Sequence, residues 1–147
     1  IYMQRLNWKQ AIRAYERVRR VDPENEKART YLVDLYFKTG QRERAIQELD
    51  ELIAFYRDSQ RDTQGLAALR EFAQSRPDEP ALHIRLARLY LNLDRREEAI
   101  AELDTVGELQ LNAGMTQEAI QTVQAIIHLG PANVEGYRQL LRQLRNQ

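Results

Sequence analysis

The stretch LVDLYFKTGQRERAIQELD, residues 32–50, returns as LARLYLNLDRREEAIAELD, residues 86–104. Leu32/Leu86, Leu35/Leu89, Tyr36/Tyr90, Arg42/Arg96, Glu43/Glu97, Ala45/Ala99, Ile46/Ile100, Glu48/Glu102, Leu49/Leu103 and Asp50/Asp104 are identical, ten of nineteen positions, which reads as an internal duplication. In both copies an Ala-Ile pair follows nine residues after the Tyr. Ile1-Tyr2-Met3 leads to Ala11-Ile12 in the same way, Leu109-Gln110-Leu111 leads to Ala119-Ile120, and Gly65-Leu66 keeps only the second half. The small residues therefore stand at 11, 45, 65, 99 and 119, alternating steps of 34 and 20 residues.

Large residues recur four and seven positions after each small one: Tyr15/Val18, Leu49/Leu52, Leu69/Phe72, Leu103/Val106 and Val123/Ile126. Offsets of 0, +1, +4 and +7 mark one face of an α-helix. Pro23, Pro77 and Pro131 come twelve residues after a small residue, where a ring without an N–H ends the helix. The punctuation predicts helices over 7–21, 25–39, 42–58, 62–75, 79–93, 95–113, 116–129 and 132–146, with residues 1–4 as the tail of another. Asn7, Asp62 and Thr116 are the expected N-caps, and Gly40, Gly114 and Gly130 the expected left-handed C-caps. A 20-residue step holds one helix and one turn, so one helix must serve two repeats. In 95–113, Ala99, Leu103 and Val106 should face the helix before, and Val106, Leu109 and Ala113 the helix after, with Gly107 at the changeover. Helix 42–58 should do the same with Ala45, Leu49 and Ile53. Such a superhelix would change direction or flatten at both places.

A small residue, a large one at +4 and Pro at +12, after a Leu…Tyr helix, resembles the tetratricopeptide repeat (TPR), a 34-residue pair of antiparallel helices. Leu32, Leu86 and Leu140 stand at the family's first-helix Leu, and Tyr2, Tyr36 and Tyr90 at its Tyr. Its Trp position holds Arg29, His83 and Tyr137. The resemblance implies an all-α, antiparallel helix-pair solenoid of about eight helices, a single repeat domain over 1–147, stabilised by stacking neighbours. It also implies a concave face lined by first helices. The groove positions fall on Lys27, Thr30, Asp34, Phe37 and Lys38, then Ala81, Ile84, Arg88, Leu91 and Asn92, then Glu135, Arg138, Arg142, Arg145 and Asn146. Thr30 and Asp34 replace the Lys and Asn of the family's carboxylate clamp, so binding of chaperone C-terminal tails does not carry over.

Composition and motifs exclude several alternatives. Lys+Arg and Asp+Glu are 22 each, so no global charge points to nucleic acid. Zero Cys rules out disulfides and thiolate metal sites. No apolar run approaches the ~18 residues of a membrane span, and no signal peptide is present. His83 and His128 lack a partner ligand at i+3 or i+4. Glu48, Asp50 and Glu51, like Glu102 and Asp104, read as solvated helix faces rather than acid/base pairs. No phosphate-binding glycine loop or nucleophile elbow occurs, so no cofactor is expected. Arg17/Arg19/Arg20, Arg95/Arg96 and Arg138/Arg142/Arg145 cluster without the interleaved aromatics that single-strand binders use. Trp8 is expected to pack on a preceding helix.

The expected function is a non-catalytic protein–protein scaffold. Its partner-binding residues would be Lys27, Asp34, Phe37, Lys38, Ile84, Arg88, Leu91, Asn92, Arg138 and Arg142, fitting an acidic peptide or helix with apolar anchors. The alternative is a regulatory or sensor arm of a larger transcription regulator or signalling protein. Ile1 in first place implies a fragment of a longer protein. A cytoplasmic setting and self-association through an open N-terminal edge around Trp8, Ile12 and Tyr15 complete the expectations.

Overall fold

The computed structural model describes the backbone of residues 2–147 and the side chains of residues 7–147; Ile1 lies outside. Among the described residues there are eight α-helices and no strand: α1 Tyr2–Val21, α2 Glu26–Lys38, α3 Arg42–Asp58, α4 Asp62–Ser75, α5 Pro80–Asn92, α6 Arg96–Asn112, α7 Thr116–His128 and α8 Val134–Arg145. The duplication is written in the backbone. Glu26 and Pro80, Arg42 and Arg96, Asp62 and Thr116 open equivalent helices, each pair 54 residues apart.

The turns explain that register. Gly40 and Gly114 have positive φ of 76° and 75°, as a left-handed C-cap requires. After α2, Gly40 N donates to Phe37 O at 3.1 Å and Gln41 N to Tyr36 O at 2.8 Å, the two bonds of a Schellman motif. The same pair recurs after α3 (Gln60 N to Arg57 O, Arg61 N to Tyr56 O), α5 (Asp94 N to Leu91 O, Arg95 N to Tyr90 O) and α6 (Gly114 N to Leu111 O, Met115 N to Gln110 O). Gln60 and Asp94 occupy the left-handed position with φ of 58° and 60°, so two of the four turns use a residue with a side chain where glycine is cheapest.

Three expected caps are corrected. Asn7 lies inside α1, which runs without a break from Tyr2. No Gly or Pro stands between 2 and 21 to stop it, so a separate tail over 1–4 does not exist. Thr116 is the first residue of α7 and Met115 its N-cap, with no side-chain bond. Asp62 is likewise the first residue of α4, inside the helix. The capping side chains are Asn25, whose Oδ1 accepts from Ala28 N at 2.9 Å, and Asn133, which accepts from Gly136 N at 3.3 Å.

The helices gather into two compact units, residues 1–65 and 66–147. In the first, α2 packs on both α1 and α3. Ile12, Leu32, Leu35, Tyr36 and Ala45 form its core, with Trp8, Ala11, Tyr15 and Phe37 packed around them. Trp8 thus finds its cover on its own unit, because its helix face is the one that carries Ile12 and Tyr15. The start of α4 comes close to the end of α3: a methyl on Gly65 would stand 3.2 Å from Tyr56 Cβ.

In the second unit α6 packs on α5 and on α7, and α7 packs on α8. This is the double service expected of α6. Ala99, Val106 and Gly107 are buried, and a methyl on Gly107 would meet Thr122 Cγ2 at 3.7 Å. Ala113 departs from expectation. It is exposed, because α6 ends at Asn112 and Ala113 is already its C-cap. Gln110 takes the buried place, its Oε1 accepting a 2.6 Å hydrogen bond from Thr122 Oγ1 on α7.

Polar clasps join helices at the position where the family has Trp. Arg29 donates to Pro23 O at 2.8 Å and to Glu48 Oε2 at 2.7 Å. His83, its equivalent, sets Nε2 on Pro77 O and Nδ1 on Glu102 Oε2, both at 2.7 Å. Tyr137, the third equivalent, donates to Asp104 at 2.8 Å. Glu48 is buried and also pairs with Arg19. The solvated reading of Glu48, Glu102 and Asp104 is therefore corrected. They face neighbouring helices, and a side chain from the next element supplies the counter-group that a single helix cannot show.

Candidate functional site

The clasps leave the opposite sides of α2 and α5 facing solvent. On α2, Lys27 and Lys38 are exposed and Asp34 is half-buried. Lys38 Nζ meets Asp34 Oδ2 at 2.8 Å, an i,i+4 pair. Thr30 turns its hydroxyl back onto Glu26 O at 2.8 Å. Phe37 is half-buried against the core of its unit. The spacing had not singled out Tyr31. It stands four residues after Lys27 and three before Asp34, on the same stripe, is 41% exposed, and stacks on Tyr15 with centroids 5.0 Å apart. Its place between charged residues at i−4 and i+3 was the available signal.

On α5, Ile84 is half-buried, while Arg88, Leu91 and Asn92 are exposed, Leu91 at 39%. Ile84, Arg88 and Leu91 follow at i, i+4 and i+7 and share one helix face. Arg88 meets no carboxylate among the described residues. Ala81, counted among the groove positions, is buried instead. On α8, Arg138 pairs with Glu135 at 2.6 Å, and Arg142 is exposed. So the structure brings Asp34 and Lys38 together, and Ile84, Arg88 and Leu91 together, each set on its own helix. The α8 residues form a third set.

Electrostatics around these faces serve the scaffold. The Glu26 carboxyl is held below its ordinary value, first by the hydrogen bond from Arg61, opposed by burial, with Tyr56 and the Arg61 charge adding to the lowering. Burial pushes the Tyr56 phenol up, and Glu26 adds to it. Burial, then Glu16, raises Tyr36. Tyr137 is pushed up to about 12 by burial and by its bond to Asp104. Guanidiniums cover three of the end-of-helix tyrosines: Arg44 over Tyr36 at 5.0 Å, Arg61 over Tyr56 at 5.2 Å and Arg95 over Tyr90 at 5.0 Å. Among the described residues no three His, Asp or Glu side chains gather as a metal site needs, and no helix is long and apolar enough to cross a membrane.

Comparison with known proteins follows the same lines. The Tetratricopeptide repeat family model matches residues 2–69 and again 63–110, the two matches overlapping within α4. No curated protein matches. Among solved structures, one of MamA is 16% identical with a TM-score of 0.48, covering 98% of this chain and 90% of its own. A thermophilic TPR protein of Thermus thermophilus is 18% identical with a TM-score of 0.36, covering 95% and 91%. A family model matching residues 2–110, from α1 to α6, identifies the chain as a member of the tetratricopeptide-repeat family.

Proposed function

We propose that this chain is one repeat domain that binds a partner peptide or helix and catalyses nothing, as a scaffold whose first-helix faces do the binding. Family membership supports the general role, since TPR proteins bind other proteins. The observation that carries the specific reading is on α5. Leu91 is a large apolar side chain left 39% exposed, one helical turn from Arg88, an exposed cation with no carboxylate partner among the described residues. Folding gains nothing from that arrangement. A partner with an apolar anchor next to a carboxylate gains both contacts, burying the Leu91 surface and pairing the guanidinium. Lys27, Asp34, Phe37 and Lys38 on α2, and Arg138 and Arg142 on α8, extend the same chemistry, and Ile84 and Asn92 complete the α5 face.

The test is capture of a partner on the whole chain, followed by titration of the purified partner against Phe37→Ala, Leu91→Ala and Arg138→Glu/Arg142→Glu variants of verified helicity. Truncating an anchor is expected to weaken binding about tenfold, roughly 1.4 kcal/mol. Charge reversal should mainly slow association and flatten its salt dependence. Parental affinity in all three variants refutes the reading.

A further inference from the structure

Residues 1–21 carry Arg5, Lys9, Arg13, Arg17, Arg19 and Arg20 against a single acid, Glu16, in a chain whose overall formal charge is zero. The structure separates the described cations, Lys9 to Arg20, into two groups. Arg19 turns inward to Glu48. Lys9, Arg13, Arg17 and Arg20 are all exposed and meet no carboxylate among the described residues. At about 100° per residue, positions 9, 13, 17 and 20 fall within about a quarter of the helix circumference, along about 16 Å of axis. Glu16, the one acid on α1, gives no relief. Its carboxylate accepts from Tyr36 OH at 3.0 Å and lies 3.4 Å from Arg44 NH2, so it faces α2 and α3. An open hollow of about 480 Å³, lined by Gln10, Arg13, Glu16, Arg17 and Arg20, runs along the stripe. Exposed Ala14 and Val21, the latter 86% exposed, border it with apolar surface.

We propose that this outer face of α1 is a second docking surface, separate from the first-helix faces, and that its occupant is an acidic helical segment of a protein partner. Four cations at i, i+4, i+8 and i+11 are complementary to carboxylates at the same spacing on a helix laid alongside. Ala14 and Val21 offer the small apolar edge that such a helix covers. A lipid surface fits less well, because Trp8, Ile12 and Tyr15, the large apolar side chains described on α1, are committed to the core of the first unit, and the exposed apolar groups described beside the stripe, Ala14, Val18 and Val21, include no aromatic or long aliphatic side chain of the kind that inserts. Single-stranded nucleic acid also fits less well. It needs stacking platforms, and the aromatics described on α1, Trp8 and Tyr15, pack against that core, with Tyr15 stacked on Tyr31.

The test uses the whole chain and a fluorescein-labelled peptide of about 18 residues on an Ala/Gln background, with four Glu at i, i+4, i+8 and i+11. The control has the same composition with the Glu spread around the helix. Fluorescence anisotropy at about 0.02 M and about 0.3 M salt reads binding with weak and strong screening. The striped peptide is expected to bind more tightly than the control, to weaken with salt, and to lose at least about tenfold with Arg13→Glu/Arg17→Glu. Arg13→Gln/Arg17→Gln, which keeps the fold where charge reversal perturbs the helix, should show an intermediate loss. Arg57→Glu/Arg70→Glu, exposed cations off α1 and off the first-helix faces, should leave binding unchanged. Equal binding of the control peptide, parental binding by both α1 variants, or tighter binding of a single-stranded oligonucleotide or a phosphatidylserine vesicle overturns the proposal.

Discussion

The pair α2–α3 and the pair α5–α6 are one design executed twice with different residues. Both begin at equivalent positions, both close with the same two turn bonds, and both clamp the first helix to the second through a polar group at the family's Trp position. Yet the turn residue is Gly40 in one and Asp94 in the other, the clasp is Arg29 in one and His83 in the other, and the carboxylate is Glu48, buried and shared with Arg19, against Glu102, held by His83. The difference teaches that the fold specifies hydrogen-bond geometry and helix spacing, while the chemical group that supplies them is free to drift.

The clasps should separate the two pairs most. Glu48→Ala leaves two guanidiniums, which cannot discharge, facing a partly buried void, and should cost about 3 kcal/mol. Glu102→Ala removes one hydrogen bond from an imidazole that keeps its other, to Pro77 O, and should cost about 1 kcal/mol. Urea unfolding of the two variants measures the gap, and equal losses would break the comparison. His83→Arg, which copies position 29, should retain most of the stability that His83→Ala loses.

The turns come next. Asp94→Gly and Gln60→Gly relieve left-handed strain and should each stabilise by about 0.5–1 kcal/mol, whereas Gly40→Ala and Gly114→Ala should destabilise by about 1 kcal/mol. Thermal midpoints of the four variants decide it. Gly40→Asp should be milder than Gly40→Val, since Asp94 already holds that conformation and a β-branched residue tolerates it least.

The helix-packing glycines should differ more subtly. Gly107→Ala meets only ordinary contact with Thr122, at 3.7 Å, and should stabilise α6 by a few tenths of a kcal/mol up to about 1 through helix propensity. Gly65→Ala meets Tyr56 Cβ at 3.2 Å, so crowding should offset most of the same gain, leaving a near-neutral change in the unfolding midpoint.

The third clasp carries an alkaline pH signature. Tyr137 is raised to about 12, above the ordinary phenol value near 10. The folded state therefore favours the neutral phenol. Its contribution is complete below about pH 10 and is lost as pH rises toward 12. Tyr137→Phe should be less stable than the parent near neutral pH and should lose less stability across that alkaline window. Parallel pH profiles would contradict the assignment. At the acid end Glu26, held low by Arg61, contributes above its ordinary range and loses that contribution as pH falls through its depressed value.

These comparisons also show what the sequence carries. Helix positions from α2 onward were legible within two residues, because small residues, their +4 and +7 partners and the prolines mark one face and one stop. The start of α1 was not, since nothing between residues 2 and 7 announces or prevents a helix. Gln60 and Asp94 gave no left-handed C-cap signal, because neither position carries the glycine that marks it at Gly40 and Gly114. Glu48 and Glu102 looked solvated because their partners, Arg29 and His83, stand on other helices, and pattern along one helix cannot reveal a bond between two. Of the candidate face, Arg88 and Leu91 were placed by the family resemblance, while Tyr31 was hidden by its aromatic character, which reads as core.

The central claim is that TPR first-helix faces bind the partner. Amide shift mapping of the isotope-labelled chain on addition of its captured, unlabelled partner tests this most directly. The account predicts shifts concentrated on 27–38 of α2, 84–92 of α5 and around Arg138 and Arg142 of α8. Shifts confined to α3, α4, α6 and α7, with those segments silent, would contradict it.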